Sequence, residues 1–155
     1  MSIPARLKTL LDDQHVRYEV MTHPYAPTSQ RAAQVEHVPG KKHAKVVMVE
    51  ADGQMIMVVC PASDRIDLPK LERSVGKPTR LATEEEFRSL FPDCETGAMP
   101  PFGELYGVPV YVDQSMKQAR EFVFEAGTHT DAIRMKFDDF ERIAHPHIED
   151  VTQHS

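Results

Sequence analysis

Two apolar runs separated by a short turn constrain this chain more than any other feature. Ala44 to Val49 and Met55 to Val59 are almost uninterrupted apolar segments, joined through Ala51-Asp52-Gly53-Gln54. Such a pair reads as a β-hairpin. A strand with one wet face alternates apolar and polar residues, and these do not. The hairpin is therefore expected to be buried on both faces, in the middle of a sheet. Covering both faces requires flanking layers, and 155 residues are enough for one domain with a core of that kind.

The flanks supply those layers as short helices and strands. Ser2 can cap a first helix with Pro4 in its opening turn, and Ile3, Leu7, Leu10 and Leu11 form one apolar stripe. Arg17 to Met21 has the composition of a strand, and Thr28 is placed to cap a helix that Pro39-Gly40 ends. A helix over Asp64 to Gly76 is expected, capped by Asp67, with Leu68, Leu71 and Val75 facing inward. Thr79 to Ala82 suits a short strand. Thr83 and Glu86 have the spacing of a capping box, for a helix through Phe87 and Leu90 that stops at Pro92.

Val108 to Val112 reads as a strand, with Pro109 at an edge or a strand start. Glu121 to Glu125 and Ala132 to Lys136 read as two more strands around the turn Ala126-Gly127-Thr128-His129-Thr130. Asp138 to Ala144 is a closing helix, and the polar tail from His145 is expected to be loose. Together these elements predict one α/β (α+β) domain over 1–155. Its mixed, mostly antiparallel central sheet, or partial barrel, is surrounded by short helices.

No apolar run is long enough to span a bilayer, and no charged and apolar leader pattern opens the chain. Cys60 and Cys94 make neither a disulfide framework nor a zinc spacing, so a cytoplasmic location is expected. The net charge of −6 argues against broad binding along a DNA duplex. A small basic spot remains, in which Lys41 and Lys42, preceded by Arg31, either form a solvated turn or hold one nucleic-acid end.

Three features can carry chemistry. Lys45 opens an apolar strand on the same face as Val47 and Val49, where an ammonium either snorkels to water or projects into a cavity. Gly97-Ala98-Met99-Pro100-Pro101-Phe102-Gly103 is stiff at its centre and permissive at its ends, which suits a connector or a close backbone approach to a ligand. His129, beside Gly127, is a surface residue or a group that orients a polar substrate. Cys94 has no histidine partner legible in sequence and reads as a partly buried thiol. No metal-ligand spacing, phosphate loop, dinucleotide fingerprint or nucleophile elbow is present.

The ordered set Ala44-Lys45-Val46-Val47, Gly97 to Gly103, Gly107-Val108-Pro109-Val110 and Phe124-Glu125-Ala126-Gly127-Thr128-His129 resembles the YbaK/ProX family of aminoacyl-tRNA deacylases. That family is related to the editing insertion domain of bacterial prolyl-tRNA synthetases. The loop fits its Gly-x-x-x-Pro-x-Gly pattern through Gly97, Pro101 and Gly103. The resemblance implies trans-editing, in which the ester of a small amino acid (Ala, or Cys or Ser) on a tRNA such as tRNA-Pro is hydrolysed. It implies no metal, cofactor or covalent intermediate.

By the same resemblance Lys45 is the central catalytic residue. Gly97, Ala98, Met99, Pro101, Gly103, Gly127 and His129 would line the aminoacyl group. The small size and negative charge of the chain fit recognition of the acceptor end alone, with Lys41, Lys42 and Arg31 expected to meet its phosphates, and an aminoacyl-tRNA synthetase is an expected further partner. Two other classes stay open: a non-catalytic module that binds a tRNA end or a synthetase, and a hydrolase of another small acyl ester.

Overall fold

The computed structural model describes residues 3–25 and 42–153. The helix expected after Thr28, together with Arg31 and Lys41, lies outside the described residues. The hairpin forms as the apolar runs demand, with β2 (Ala44–Ala51) pairing antiparallel to β3 (Gln54–Pro61). Asp52 and Gly53 make the turn at φ 49° and 86°, the double positive φ of the tight hairpin turn.

Two apolar clusters show that the hairpin is covered twice. Ala44, Met48, Met57 and Val59 face the larger core, while Val49, Ala51, Ile56 and Val58 face a smaller one. Outer strands complete the five-stranded sheet in the order β5-β2-β3-β6-β9. Here β5 is Thr79–Leu81, β6 is Val110–Asp113 and β9 is His147–Glu149. The β3–β6 and β6–β9 pairs are parallel and the others antiparallel. Pro109 precedes β6 and its carbonyl accepts from Met57 N–H at 2.9 Å, so the missing donor falls at the strand start, not at a sheet edge.

A second, antiparallel sheet has the order β1-β8-β7, from Tyr18–Thr22, Asp131–Lys136 and Glu121–Glu125. Its Phe122, Phe124, Ile133 and Met135 face the larger core. Helix α1 (Ala5–Asp13) closes that core through Leu7 and Leu11, and the last helix through Phe137, Phe140 and Ile143. The smaller core is capped by α2 (Leu68–Val75), whose Leu71 is fully buried.

Among the described residues, the two sheets meet at one parallel bridge, His43 to Val123, where Val123 N–H donates to the Lys42 carbonyl at 2.9 Å. The sheet is mixed and mostly antiparallel, and it does not close into a barrel. Short pieces complete the fold: α3 (Glu84–Phe87), the closing helix α4 (Phe137–Ala144), and a two-residue ladder between β4 (Arg65–Ile66) and β10 (Thr152–Gln153).

Three local expectations need correction. Pro4 sits at the N-cap of α1 without a side-chain cap, not within its first turn, and Ser2 lies outside the described residues. The helix expected from Asp64 begins at Leu68, because Arg65 and Ile66 pair with Gln153 and Thr152; Asp67 caps it by accepting from Lys70 N–H. The tail is not loose. β9 pairs with β6, Val151 N–H donates to Asp113 Oδ1 at 2.9 Å, and Asp67 N–H donates to Val151 O at 2.8 Å. The capping box is present, with Thr83 N–H donating to Glu86 Oε1 at 2.8 Å and Glu86 N–H to Thr83 Oγ1.

Gly103 shows how tightly the loop is set on this core. A Cβ there would lie 2.5 Å from the Val108 carbonyl oxygen and 2.9 Å from Val110 Cγ2, so backbone rather than a flexible side chain would have to yield. Gly103→Ala is expected to lower the unfolding free energy by about 1–3 kcal/mol. Urea denaturation checks this, and an unchanged midpoint would contradict the packing.

Candidate functional site

Lys45 is half-buried on β2, on the face shared with Val47, and lies opposite Cys60 across the hairpin. Its ammonium donates to the carbonyl of Asp64, in the turn that follows β3. An ammonium has three donors, and this bond uses one. Among the described residues, no hydrogen bond or ion pair ties Lys45 to the Gly97 loop or to His129. What relates them is the sheet junction. Lys45 and Glu125 each lie two residues beyond the His43–Val123 bridge, on strands running the same way. Side chains two residues apart point to one face, so Lys45 and Glu125 share the face of the joined sheets opposite the larger core.

The Gly97 loop and the His129 turn are brought together by the backbone. Glu95 N–H donates to Gly127 O and Gly127 N–H donates to Ala98 O, both at 2.8 Å. Between them, Ala98 N–H closes a four-residue turn on Glu95 O at 3.0 Å, with Gly97 at φ +88°. That position is one where a turn of this kind requires glycine. Gly97 N–H points at Met99 Sδ, 3.3 Å away. A thioether is a weak acceptor, so this donor is held loosely. Pro100 and Pro101 contribute no donors.

The side chain of His129 spans the two segments. Nε2 lies 2.9 Å from the Thr96 carbonyl oxygen, and Nδ1 lies 3.3 Å from Glu125 Oε2, an approach at ion-pair range that is not aligned as a hydrogen bond. His129 is 6% exposed and Glu125 3% exposed. A Cβ on Gly97 would stand 3.6 Å from His129 Cε1, so the bare α-carbon of Gly97 faces the imidazole edge. Tyr25, largely exposed, meets the same imidazole edge-on with ring centroids 5.4 Å apart.

Gly127, at φ +94°, is held from behind, because a Cβ there would meet Pro4 Cδ at 2.6 Å. Thr128 Oγ1 fixes the rest of the turn by accepting from Asp131 N–H at 3.0 Å and donating to Asp131 Oδ2 at 2.7 Å.

On the far side, α1 pins the start of the loop. Arg6 Nε pairs with Asp93 Oδ2 at 2.8 Å, and its guanidinium lies 4.6 Å above the Tyr106 ring. Cys94 Sγ lies 3.3 Å from Tyr106 Oη. Burial pushes the Cys94 thiol up to about 11, and the same cause pushes Cys60 to about 12. Neither is a thiolate near neutral pH, so neither is primed as a nucleophile.

The expected site residues thus divide. Gly97, Ala98, Met99, Gly127 and His129 converge on one corner. Lys45 shares a sheet face with Glu125, which approaches His129. Gly103 is a buried packing position, and Pro101 lies in the stiff centre of the loop. Lys42 is exposed at the sheet junction, while Arg31 and Lys41 lie outside the described residues. No group of three potential metal ligands occurs among the described residues. Sequence reading missed Glu125, although its signal matched that of Lys45: a charge at the end of an apolar run, Phe122-Val123-Phe124.

Residues 23–143 match the aminoacyl-tRNA editing domain family. That span covers most of the chain, and the chain belongs to this family, a class of aminoacyl-tRNA deacylases. Among solved structures, a protein described only as hypothetical superposes with a TM-score of 0.87 at 18% identity, covering 96% of this chain and 99% of its own. A protein described as a candidate trans-editing enzyme for prolyl tRNA synthetase superposes with a TM-score of 0.83 at 24% identity, covering 99% of this chain and 100% of its own. The same fold makes up 31% of a chain from Marinobacter aquaeolei described as a candidate signal transduction protein, at a TM-score of 0.78 and 16% identity. At these identities the superpositions establish the fold. A search of curated protein sequences gives no match.

The raised thiol of Cys94 has a direct consequence. The thiolate fraction stays small below about pH 11. Alkylation of Cys94 by iodoacetamide at pH 8 is therefore expected to run on the order of a hundredfold slower than that of a free cysteine. Mass spectrometry of the labelled peptide reads this out, and a free-thiol rate would show that burial does not hold the proton on Cys94.

Proposed function

We infer that this chain hydrolyses the ester between a small amino acid and the 3′ end of a mismatched tRNA. The observation that carries the reading is the Gly97 corner. A residue without a side chain, at positive φ and against the His129 imidazole, presents an N–H that among the described residues rests on a thioether. An ester is already activated, so a catalyst that positions water and stabilises the tetrahedral oxyanion supplies much of the acceleration.

In this reading Gly97 N–H leaves Met99 Sδ for the oxyanion, an exchange that costs little because the sulfur accepts weakly. Lys45 keeps one donor on Asp64 and turns another toward the aminoacyl or terminal ribose oxygens. Water adds to the carbonyl carbon, and the C–O bond to the ribose breaks. The ribose oxygen takes a proton, and free amino acid and tRNA result. No step needs a metal or a covalent enzyme intermediate.

Lys42, with Lys41 and Arg31, would meet phosphates of the acceptor end, consistent with a chain whose net charge of −6 disfavours long duplex contacts. The prolyl system is the first to examine, because a structural neighbour is described in those terms. Alanine is the first amino acid. Pockets separate small apolar groups by only about 1–3 kcal/mol per methylene, which is the discrimination problem that editing solves. A synthetase that loads such a tRNA is the corresponding protein partner.

The test is a panel of tRNAs mischarged with Ala, Ser or Cys, assayed with wild type and Lys45→Ala. Wild type is expected to release alanine from tRNA-Pro, and Lys45→Ala to slow release by roughly 10²-fold or more. Equal rates would remove Lys45 from the mechanism. Release from simple aminoacyl esters but never from tRNA would make the chain a small-ester hydrolase, and no release at all would make it a binding module.

A further inference from the structure

Both ring nitrogens of His129 face protein groups. A carbonyl oxygen only accepts, so the 2.9 Å approach of Nε2 to Thr96 O places a hydrogen on Nε2. Nδ1 faces the Glu125 carboxyl at 3.3 Å, with the two side chains 7% and 3% exposed. The carboxyl thereby closes off that edge of the ring, at ion-pair range though not aligned as a hydrogen bond. A substrate group at either nitrogen would have to displace one of these protein groups.

We propose that Glu125 and His129 form a positioning pair that sets the Gly97 corner, and that His129 is neither a proton-transfer group nor a polar ligand of the substrate. The proposal rests on reading the Gly97 corner as the deacylation site. Glu125 closes an apolar strand and fixes the imidazole from behind. The imidazole in turn holds the Thr96 carbonyl, the residue before Gly97, and presents its Cε1 edge to the bare face of Gly97. Glu95–Gly127 and Gly127–Ala98 backbone bonds flank this contact on both sides. Rotating the imidazole would release Thr96 and turn Gly97 N–H away from the reacting carbonyl.

Amide side chains separate positioning from proton transfer. His129→Gln keeps a donor where Nε2 stands but cannot act as a base. Glu125→Gln can donate to an Nδ1 lone pair, which satisfies an imidazole that carries hydrogen on Nε2 alone. With the tRNA substrate that wild type cleaves, both Gln variants are expected to keep kcat within about threefold. His129→Ala and Glu125→Ala are expected to lose roughly tenfold or more in kcat with KM little changed, since misplacing the donor affects the transition state.

A second readout does not depend on activity. Amide exchange at Glu95 and Gly127 is expected to quicken in Glu125→Ala and to stay native in Glu125→Gln. If His129→Gln is as slow as His129→Ala while both keep native amide exchange, the histidine contacts the reacting groups and the proposal is overturned. Native exchange in a folded Glu125→Ala overturns it as well. Should wild type cleave no tRNA, the deacylase reading fails, and the exchange pattern still decides whether the pair sets the corner.

Discussion

A hairpin that is apolar on both faces has to be covered twice, and most of this molecule follows from that requirement. The larger cover is the antiparallel sheet β1-β8-β7 with α1 and α4, which brings a group of phenylalanines onto Met57 and Val59. The smaller is α2 with Val151, lying on Val49 and Val58. Because the second sheet joins the first, among the described residues, through the His43–Val123 bridge, the face opposite the larger core runs on from β2 to β7. Charged side chains gather at that junction, with Lys45 on one strand and Glu125 on the other. A buried charge is stable only when it is paired or hydrogen-bonded, and each of these has a partner, Asp64 O for the lysine and His129 for the glutamate. The candidate site residues Lys45 and His129 therefore lie at or next to the junction of the two sheets.

The parts of the fold that were legible in sequence are those whose causes are local. The Asp52-Gly53 turn, the Asp67 cap, the Thr83–Glu86 box and the alternation of Ile133 and Met135 each depend on residues within a few positions of one another. The order of the tail is not legible in sequence because its causes are distant. Val151 is fixed by Asp113 and Asp67, and Thr152 O by Lys70 at 2.9 Å, none of which a polar terminal stretch announces. The early start assigned to α2 has the same origin, since Arg65 and Ile66 are strand only because Thr152 and Gln153 return beside them.

The site was half legible for a related reason. Lys45, Gly97 and His129 stand out as residue types at odds with their surroundings, which sequence displays. Their arrangement depends on Gly127 docking between Glu95 and Ala98, and on Pro4 filling the space a Cβ at Gly127 would need. Those contacts join positions about 30 and more than 120 residues apart. Gly103 illustrates the converse, because a motif position can be held by packing alone. Its place against Val108 O explains glycine there without any role for a ligand.

Such a corner suits chemistry that asks for placement rather than a reactive group. The thiols of Cys94 and Cys60 are held protonated by burial, and both nitrogens of His129 face the protein. The N–H of Gly97 rests on a sulfur, a weak acceptor. A donor of that kind, aimed by rigid neighbours, contributes most when negative charge appears on an oxygen beside it and little to a neutral ground state. Its strength depends on how firmly the turn around it is held, and here the restraints come from three directions: Glu125 through the imidazole, Pro4 beneath Gly127, and Arg6 through Asp93. The first helix, far from the site in sequence, is thereby part of the frame that keeps the donor in place.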